Sequence, residues 1–321
     1  ILVNTEEELH DVKCYDPSAG SGTLLMNLAH AIGEQNCSIF SEDISQKSSN
    51  MLRLNLILNN LSQSIPNVIK GNTILESKYL NEKFQYIVSN PPFKLDFSEY
   101  RDTVEKDKER FFAGVPKVPN KDKDKMSIYL LFIQHIMYCL DDKKGKAAIV
   151  VPTGFITAQS GIEKKIREAM IKRHILRGVV SMPSNIFAST GTNVSVLFLD
   201  AKADSKQVVF VDASKLGTTV KDGKNQRTLL SPAEEGRIIS AMNDKRAEED
   251  FSVVVSFDQI KEKNYSFSAG QYFEVKIEYV DITAEEFAAK MEVFKSNLNS
   301  LFAESRELER EIQKQLEDLS L

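Results

Sequence analysis

Val12-Lys13-Cys14-Tyr15-Asp16-Pro17-Ser18-Ala19-Gly20-Ser21-Gly22 is the stretch whose reading decides the fold. Its first four residues read as a short buried strand. Asp16-Pro17 ends it, because proline has no N–H to give to a strand ladder. The Ser-Ala-Gly-Ser-Gly turn that follows lets the backbone pass close to a ligand. Residues 23–32 then carry the apolar spacing of a helix, closed by Gly33. The turn therefore opens onto the free N–H groups of a helix start. A second strand, over 38–40, leads to Glu42-Asp43, and Glu42 lies 20 residues after Gly22. A carboxylate in that place can accept from both hydroxyls of a ribose. Taken alone, the turn is equally a tight strand–helix connection without a ligand. The series strand, turn, helix, strand and acid favours the ligand.

Outward from this stretch, the spacing predicts a helix over 45–59 and a strand over 67–70 before Gly71-Asn72. A further strand over 84–89 ends in Asn90-Pro91-Pro92-Phe93. Strands alternating with helices imply an α/β fold, a parallel sheet covered on both faces. The rhythm breaks over 94–125, where 101–125 carries eight basic and six acidic residues and reads as a long solvated loop. It resumes with a helix over 127–139, a strand over 147–151, a helix over 161–172 and strands over 176–181 and 195–199. Residues 207–212 are expected to add an edge strand, and 213–279 to form short mixed elements. From 283 to 319 the pattern changes. Phe287, Met291, Phe294, Leu298, Leu301, Leu308 and Ile312 form a heptad seam, and Thr283 with Glu286 makes a capping-box start. Such a helix either folds back on its own domain or faces a partner, and the sustained seam favours the partner. The expected division is 1–212, 213–282 and 283–321.

Composition bounds the function. With 321 residues, 42% apolar and 27% charged, the chain is neither disordered nor collagen-like. It holds no run of the roughly 18 apolar residues that a membrane-spanning helix needs. A net charge of −5 argues against gripping nucleic acid through overall charge, leaving a local basic patch or a basic partner. Three cysteines and four histidines show no disulfide framework and no metal-ligand spacing. With no secretory signal at its start, the chain is assigned to a reducing cytoplasm. It begins at Ile1 and reads as a fragment. His135, in an apolar helix, reads as a packed core histidine rather than a base.

Asn90-Pro91-Pro92-Phe93 carries the chemistry. Two consecutive prolines stiffen the backbone just past a strand. The Asn90 side-chain carbonyl and the Pro91 backbone carbonyl can then accept both hydrogens of one amino group, while Phe93 stacks on a planar ring. An exocyclic amine on an aromatic ring is a poor nucleophile because its lone pair is delocalised. Two fixed acceptors favour a more tetrahedral nitrogen and stabilise the charge that develops on it. The bland reading is an Asn-Pro turn beside a buried Phe.

These two motifs together resemble those of adenine-specific DNA methyltransferases. More narrowly, the chain resembles the modification subunit of type I restriction–modification systems, through GNTILE (71–76), KAAIVVPTGFI (146–156), VVSMPSNIFASTGTNVSVLFL (179–199) and NYSFSAGQYFE (264–274). The resemblance implies a doubly wound, Rossmann-like S-adenosylmethionine-dependent methyltransferase sheet with a C-terminal helical arm. It implies S-adenosylmethionine over Asp16, Ser18, Gly20, Ser21 and Gly22, with Glu42 on the ribose. Asn72 stands where relatives usually carry an Asp facing the cofactor adenine, and its carbonyl would serve instead. Asn90, Pro91, Pro92 and Phe93 would hold a target adenine flipped out of the duplex, with 101–125 as a candidate lid over the DNA. The implied partners are double-stranded DNA and the specificity and restriction subunits. Relatives have an N-terminal helical domain and a Phe-x-Thr-Pro segment that this chain lacks, so weak cofactor binding and no methylation by the chain alone are expected. Two competing functions are methylation of a protein glutamine, whose motif usually ends in Tyr, and a cofactor-binding scaffold subunit without catalysis.

Overall fold

A computed structural model of the chain describes residues 1–3, 9–187, 193–202, 207–223, 225–273 and 283–318. They fall into two units, Ile1–Phe273 and Glu274–Leu321. The first unit is organised around β1 (Val12–Asp16), whose Cys14, Tyr15 and Asp16 are all buried. The helix α1 (Thr23–Ile32) follows. It starts after Gly22, at φ +83°, and ends at Gly33, at φ +96°, whose N–H reaches Ala29 O. Leu25, Leu28, Ala29 and Ile32 make its buried stripe, the three-and-four spacing of an amphipathic helix. Next come β2 (Cys37–Asp43) and α2 (Gln46–Leu58), the latter capped by the Ser45 hydroxyl accepting from Ser48 N–H. β3 (Val68–Lys70), the single turn α3 (Thr73–Glu76) and β4 (Tyr86–Ser89) close the first half.

The second half contains α4 (Arg101–Val104), α5 (Tyr129–Cys139), β5 (Lys146–Pro152), α6 (Gly154–Thr157), α7 (Gly161–Lys172), β6 (Leu176–Ser181), β7 (Val194–Asp200) and β8 (Gln207–Asp212). The hairpin β9 (Thr218–Asp222) and β10 (Asn225–Leu229), then α8 (Pro232–Asn243), β11 (Ser252–Ser256) and α9 (Phe257–Glu262), complete the unit. Nine strands form one sheet in the order β11-β8-β6-β7-β5-β4-β1-β2-β3. β7 runs antiparallel to β5 and β6, and β11 antiparallel to β8; the other pairings are parallel. α1 and α2 pack Leu25, Leu52 and Leu56 on one face, while α5 and α7 pack Ile133, Ile136, Ile166 and Met170 on the other. This is the expected doubly wound α/β architecture. Its strand order reverses between β1 and β4, and a crevice opens at the carboxyl ends of strands at such a switch point.

Three expectations need correction. Residues 207–212 are not an edge strand, since β8 is enclosed between β6 and β11. The boundary drawn at 212 cuts between β8 and β11, which pair directly over five residues. Arg167 explains why the chain beyond α9 stays on the domain. This fully buried side chain donates to the carbonyls of Tyr265 (2.7 Å), Phe155 and Ala158. Burial pushes its guanidinium down to about 10, and three carbonyls offset the desolvation. Nor is 94–125 a solvated loop. Phe97, Val104, Phe111, Val115 and Met126 bury themselves against Ile128, Leu131 and Phe132 around α5, leaving most of the charged residues between them at the surface but burying Arg110.

The second unit is α10 (Ala284–Asp318), 35 residues or about 52 Å long. Thr283 and Glu286 form the expected capping box: Thr283 N–H donates to Glu286 Oε2 at 3.0 Å and Glu286 N–H to Thr283 Oγ1 at 3.2 Å. Its seam residues, Phe287 through Ile312, are exposed. Residues 274–282, part of the expected middle segment, lie outside the described residues.

Candidate active site

The turn after β1 is stitched to three neighbouring strands and helices. Ala19 N–H donates to Glu42 O at 3.2 Å and Gly20 N–H to Asp43 Oδ2 at 2.8 Å, tying the turn to β2. The Thr73 hydroxyl donates to Pro17 O at 2.7 Å, tying it to α3. Ser18 Oγ lies 2.8 Å from Ser89 Oγ, the last residue of β4. That bond couples the glycine turn to the strand that delivers Asn90. Gly20 (φ +54°) and Gly22 (φ +83°) both occupy the left-handed region, which explains glycine at each. A Cβ on Gly20 would meet nothing within 4 Å, whereas one on Gly22 would lie 2.2 Å from Leu52 Cδ1. The first glycine thus faces open space and the second packs.

Asp16 sits beneath the turn, 2% exposed. Its Oδ1 accepts from Ser18 N–H at 2.9 Å, yet burial dominates and raises the carboxyl to about 7. Ser18, Asn72 and Pro92 line one cleft together with Asp43, Thr73 and Tyr100, closed on the apolar side by Ile128 and Phe132. Ser21 turns away from it, its hydroxyl 3.3 Å from Thr23 Oγ1. A larger cavity, roughly 530 Å³, lies at the opposite edge of the sheet against Val12, Tyr86 and Lys146. None of the motif residues lines it.

Glu42 does not take the place expected of it. It is 1% exposed, and both of its oxygens are engaged. Oε2 accepts from the Tyr15 hydroxyl (2.6 Å) and the Ser77 hydroxyl (2.8 Å), and Oε1 from Lys78 N–H (2.7 Å). Behind it, His135 Nε2 lies 3.0 Å from the Tyr15 oxygen. Tyr15 has one proton and gives it to Glu42, so His135 donates from Nε2. Burial, with the nearby Arg110 charge, lowers that imidazole to about 3. His135 is therefore the neutral core residue the sequence indicated. The acid that faces the cleft is Asp43, one residue on. Its Oδ1 accepts from Ser45 N–H at 2.7 Å, and each carboxylate oxygen retains a further lone pair. Strand alternation was the signal for it: adjacent residues point to opposite faces.

Asn72 also departs from expectation. Its Oδ1 caps α3, accepting from Ile74 N–H (3.1 Å) and Leu75 N–H (3.2 Å), so the amide group rather than the carbonyl remains as its donor toward the cleft. Arg110, which the sequence did not single out, holds the same helix from the inserted segment. It is 3% exposed and donates to Thr73 O (3.2 Å) and Ile74 O, with Asp107 paired at 3.0 Å.

Beyond β4, Asn90 is exposed, Pro91 buried, Pro92 exposed and Phe93 half-buried. Among the described residues the Asn90 side chain has no hydrogen-bond partner. The Phe93 ring meets Tyr129 edge-on at 6.2 Å and 74°, and Tyr129 in turn meets Phe155 at 6.3 Å. Phe93 is thereby anchored along one edge while part of it stays uncovered. No group of side chains able to hold a metal ion occurs among the described residues, and no described helix is long and apolar enough to cross a membrane.

Over its whole length the chain is 28% identical to the methylase subunit of the type I restriction enzyme MpnII from Mycoplasma pneumoniae, spanning 58% of that subunit. The crystal structure of a type I restriction–modification methyltransferase subunit from Streptococcus thermophilus matches 84% of the chain. Its TM-score is 0.68 at 26% identity, and 56% of that subunit is spanned. A shorter likeness, 35% over 85 residues (26% of this chain and 28% of that one), is to the release factor glutamine methyltransferase of Flavobacterium psychrophilum. The family model for N-6 DNA methylases matches residues 1–280, and the chain belongs to that family.

Proposed function

We propose that this chain transfers a methyl group from S-adenosylmethionine to the exocyclic amine of adenine in double-stranded DNA, as the modification subunit of a type I restriction–modification system. The observation that carries the reading is the unengaged, exposed Asn90 at the carboxyl end of β4, held one hydrogen bond from the glycine turn through Ser89 and Ser18. The cleft suits a nucleoside: a carboxylate on Asp43, an amide donor on Asn72, and apolar walls at Ile128 and Phe132. The cofactor would supply an electrophilic methyl group.

The chain's own residues do the rest. Asn90 Oδ1 and the Pro91 carbonyl accept the two hydrogens of the target amine, and Phe93 stacks on the flipped base. As the nitrogen took up the methyl group, the cofactor's S–CH3 bond would break and release the neutral thioether S-adenosylhomocysteine, and those acceptors would stabilise the cationic nitrogen. The proton then leaves to solvent, because the buried imidazole of His135 is out of reach and too weak a base. The exposed seam of α10 supports docking of specificity and restriction subunits, with the specificity subunit reading the DNA sequence. Labelled S-adenosylmethionine incubated with the assembled protein and adenine-containing duplex should leave its label in N6-methyladenine.

The likeness to a glutamine methyltransferase favours a second reading, transfer to a protein amide. Label found in polypeptide instead of DNA would establish it. Label in neither, with cofactor bound, would leave the scaffold role.

A further inference from the structure

The β9–β10 hairpin stands apart from the main sheet and belongs to neither the cleft nor the core. β4, β5, β6 and β8 all run in one direction, since β4 is parallel to β5, β6 is parallel to β8, and β7 opposes both β5 and β6. Their carboxyl ends, including Asn90 after β4 and Ala213 after β8, therefore share one edge of the sheet. The hairpin begins six residues past β8 and is fixed at its base. Thr228 N–H donates to Asn185 O at 2.9 Å, on the segment that follows β6. Gly217 N–H donates to Glu234 Oε1 at 2.7 Å, at the start of α8.

Its charge is unlike the rest of the chain. Residues 215–227 carry Lys215, Lys221, Lys224 and Arg227 against the single acid Asp222, in a protein of net charge −5. Lys215, Lys221 and Arg227 are exposed, and among the described residues no ion pair involves them. Gln226 faces Lys221 and Val220 faces Arg227 in the ladder, so the two cations project from opposite faces of the ribbon. β8 lies four strand steps from β4, or about 19 Å at the usual strand spacing. Duplex DNA presents one negative charge per about 1.7 Å of its axis, hence about eleven over that distance.

We propose that this hairpin grips the DNA backbone beside the target base, with Lys215, Lys221 and Arg227 on phosphates. The inference rests on the DNA reading given above. It supplies what the acidic composition otherwise lacks, a local basic patch on the edge where the base must enter.

The test is the triple variant Lys215→Gln, Lys221→Gln, Arg227→Gln in the assembled, DNA-methylating protein. Binding to duplex DNA is measured across a salt series. Two or three lost phosphate contacts should flatten the slope of log affinity against log salt by about 2–3 and lower affinity at 0.1 M salt about 60- to 500-fold. Cofactor affinity and melting temperature should stay as in the parent. Lys143→Gln with Lys144→Gln, on the turn before β5 at the opposite edge, should leave the slope unchanged. A parent that methylates DNA beside a triple variant of unaltered slope would overturn the hairpin proposal alone. An unaltered slope with loss of partner co-purification would assign the hairpin to a protein contact, and also overturn it. A parent that neither binds nor methylates DNA would overturn the DNA reading and this inference together.

Discussion

Replacing Glu42 and Asp43 in turn separates a framework acid from a ligand acid. Glu42→Ala removes the acceptor of three donors, the buried Tyr15 and Ser77 hydroxyls and the partly buried Lys78 N–H. Two of them can adapt. The Ser77 hydroxyl can rotate, and Tyr15 can turn its proton to His135 Nε2 if the imidazole shifts its own proton to Nδ1. Lys78 N–H is fixed backbone and stays orphaned, at about 1–3 kcal/mol. With the void left by the side chain, the total comes to about 2–5 kcal/mol. For a unit spanning Ile1–Phe273 that is a drop in melting temperature of about 4–9 °C.

Asp43→Asn spares the core, but Oδ1 also accepts from Ser45 N–H and Oδ2 from Gly20 N–H, so the amide displaces one of those backbone bonds as well as a ribose acceptor. A lost hydrogen bond between a ribose hydroxyl and a charged acceptor is worth about 1.5–3 kcal/mol, so the dissociation constant for S-adenosylmethionine should rise about 10- to 150-fold. Thermal melting and titration calorimetry, the latter well below the melting point of either variant, read out both effects. The assignment fails if Glu42→Ala melts like the parent and loses the cofactor, or if Asp43→Asn binds cofactor like the parent.

Gly22→Ala should destabilise by about 2–5 kcal/mol, strain at φ +83° plus overpacking against Leu52. Gly20→Ala should cost only the strain, about 1–2 kcal/mol; equal urea midpoints for the two would refute the difference. Asn90→Ala should abolish methylation while calorimetry shows cofactor binding intact. In α10, Leu298→Asp with Leu308→Asp should prevent co-purification with the specificity subunit and leave the melting of the catalytic unit unchanged. Between about pH 4 and 6.5 two buried groups oppose each other. His135, lowered to about 3 from 6.5, binds its proton more readily unfolded, so its contribution to stability falls as pH drops through that window. Asp16, raised to about 7 from 3.8, binds its proton more readily folded, so its contribution falls as pH rises. Asp16→Asn should therefore expose a steep loss of stability on acidification, and His135→Gln a gain, in melting curves from pH 4 to 8.

How much was legible in the sequence depended on whether a residue's role is set by its own backbone. α7 (Gly161–Lys172) and α1 could be read to the residue, because glycines punctuate them and their apolar stripes are regular. Asn-Pro-Pro-Phe was equally legible, since two prolines impose their geometry wherever they stand. The segment 94–125 was not: Phe97, Val104, Phe111 and Val115 lie seven, seven and four residues apart, yet the only α-helical turn there is Arg101–Val104, and their burial comes from α5, which lies further along the chain. The rank of β8 inside the sheet depends on β11, about forty residues later. β2 shows the sharpest failure. Its polar end, Ser41-Glu42-Asp43, looks like a loop, yet parallel pairing with β3 carries the strand through all three residues. Once the strand runs that far, side chains must alternate between faces. Two adjacent carboxylates of the same chemistry then receive opposite fates, one locked under Tyr15 and the other turned to the cleft. A one-residue error there exchanges a core acid for a ligand, and only the hydrogen bonds around each could tell them apart.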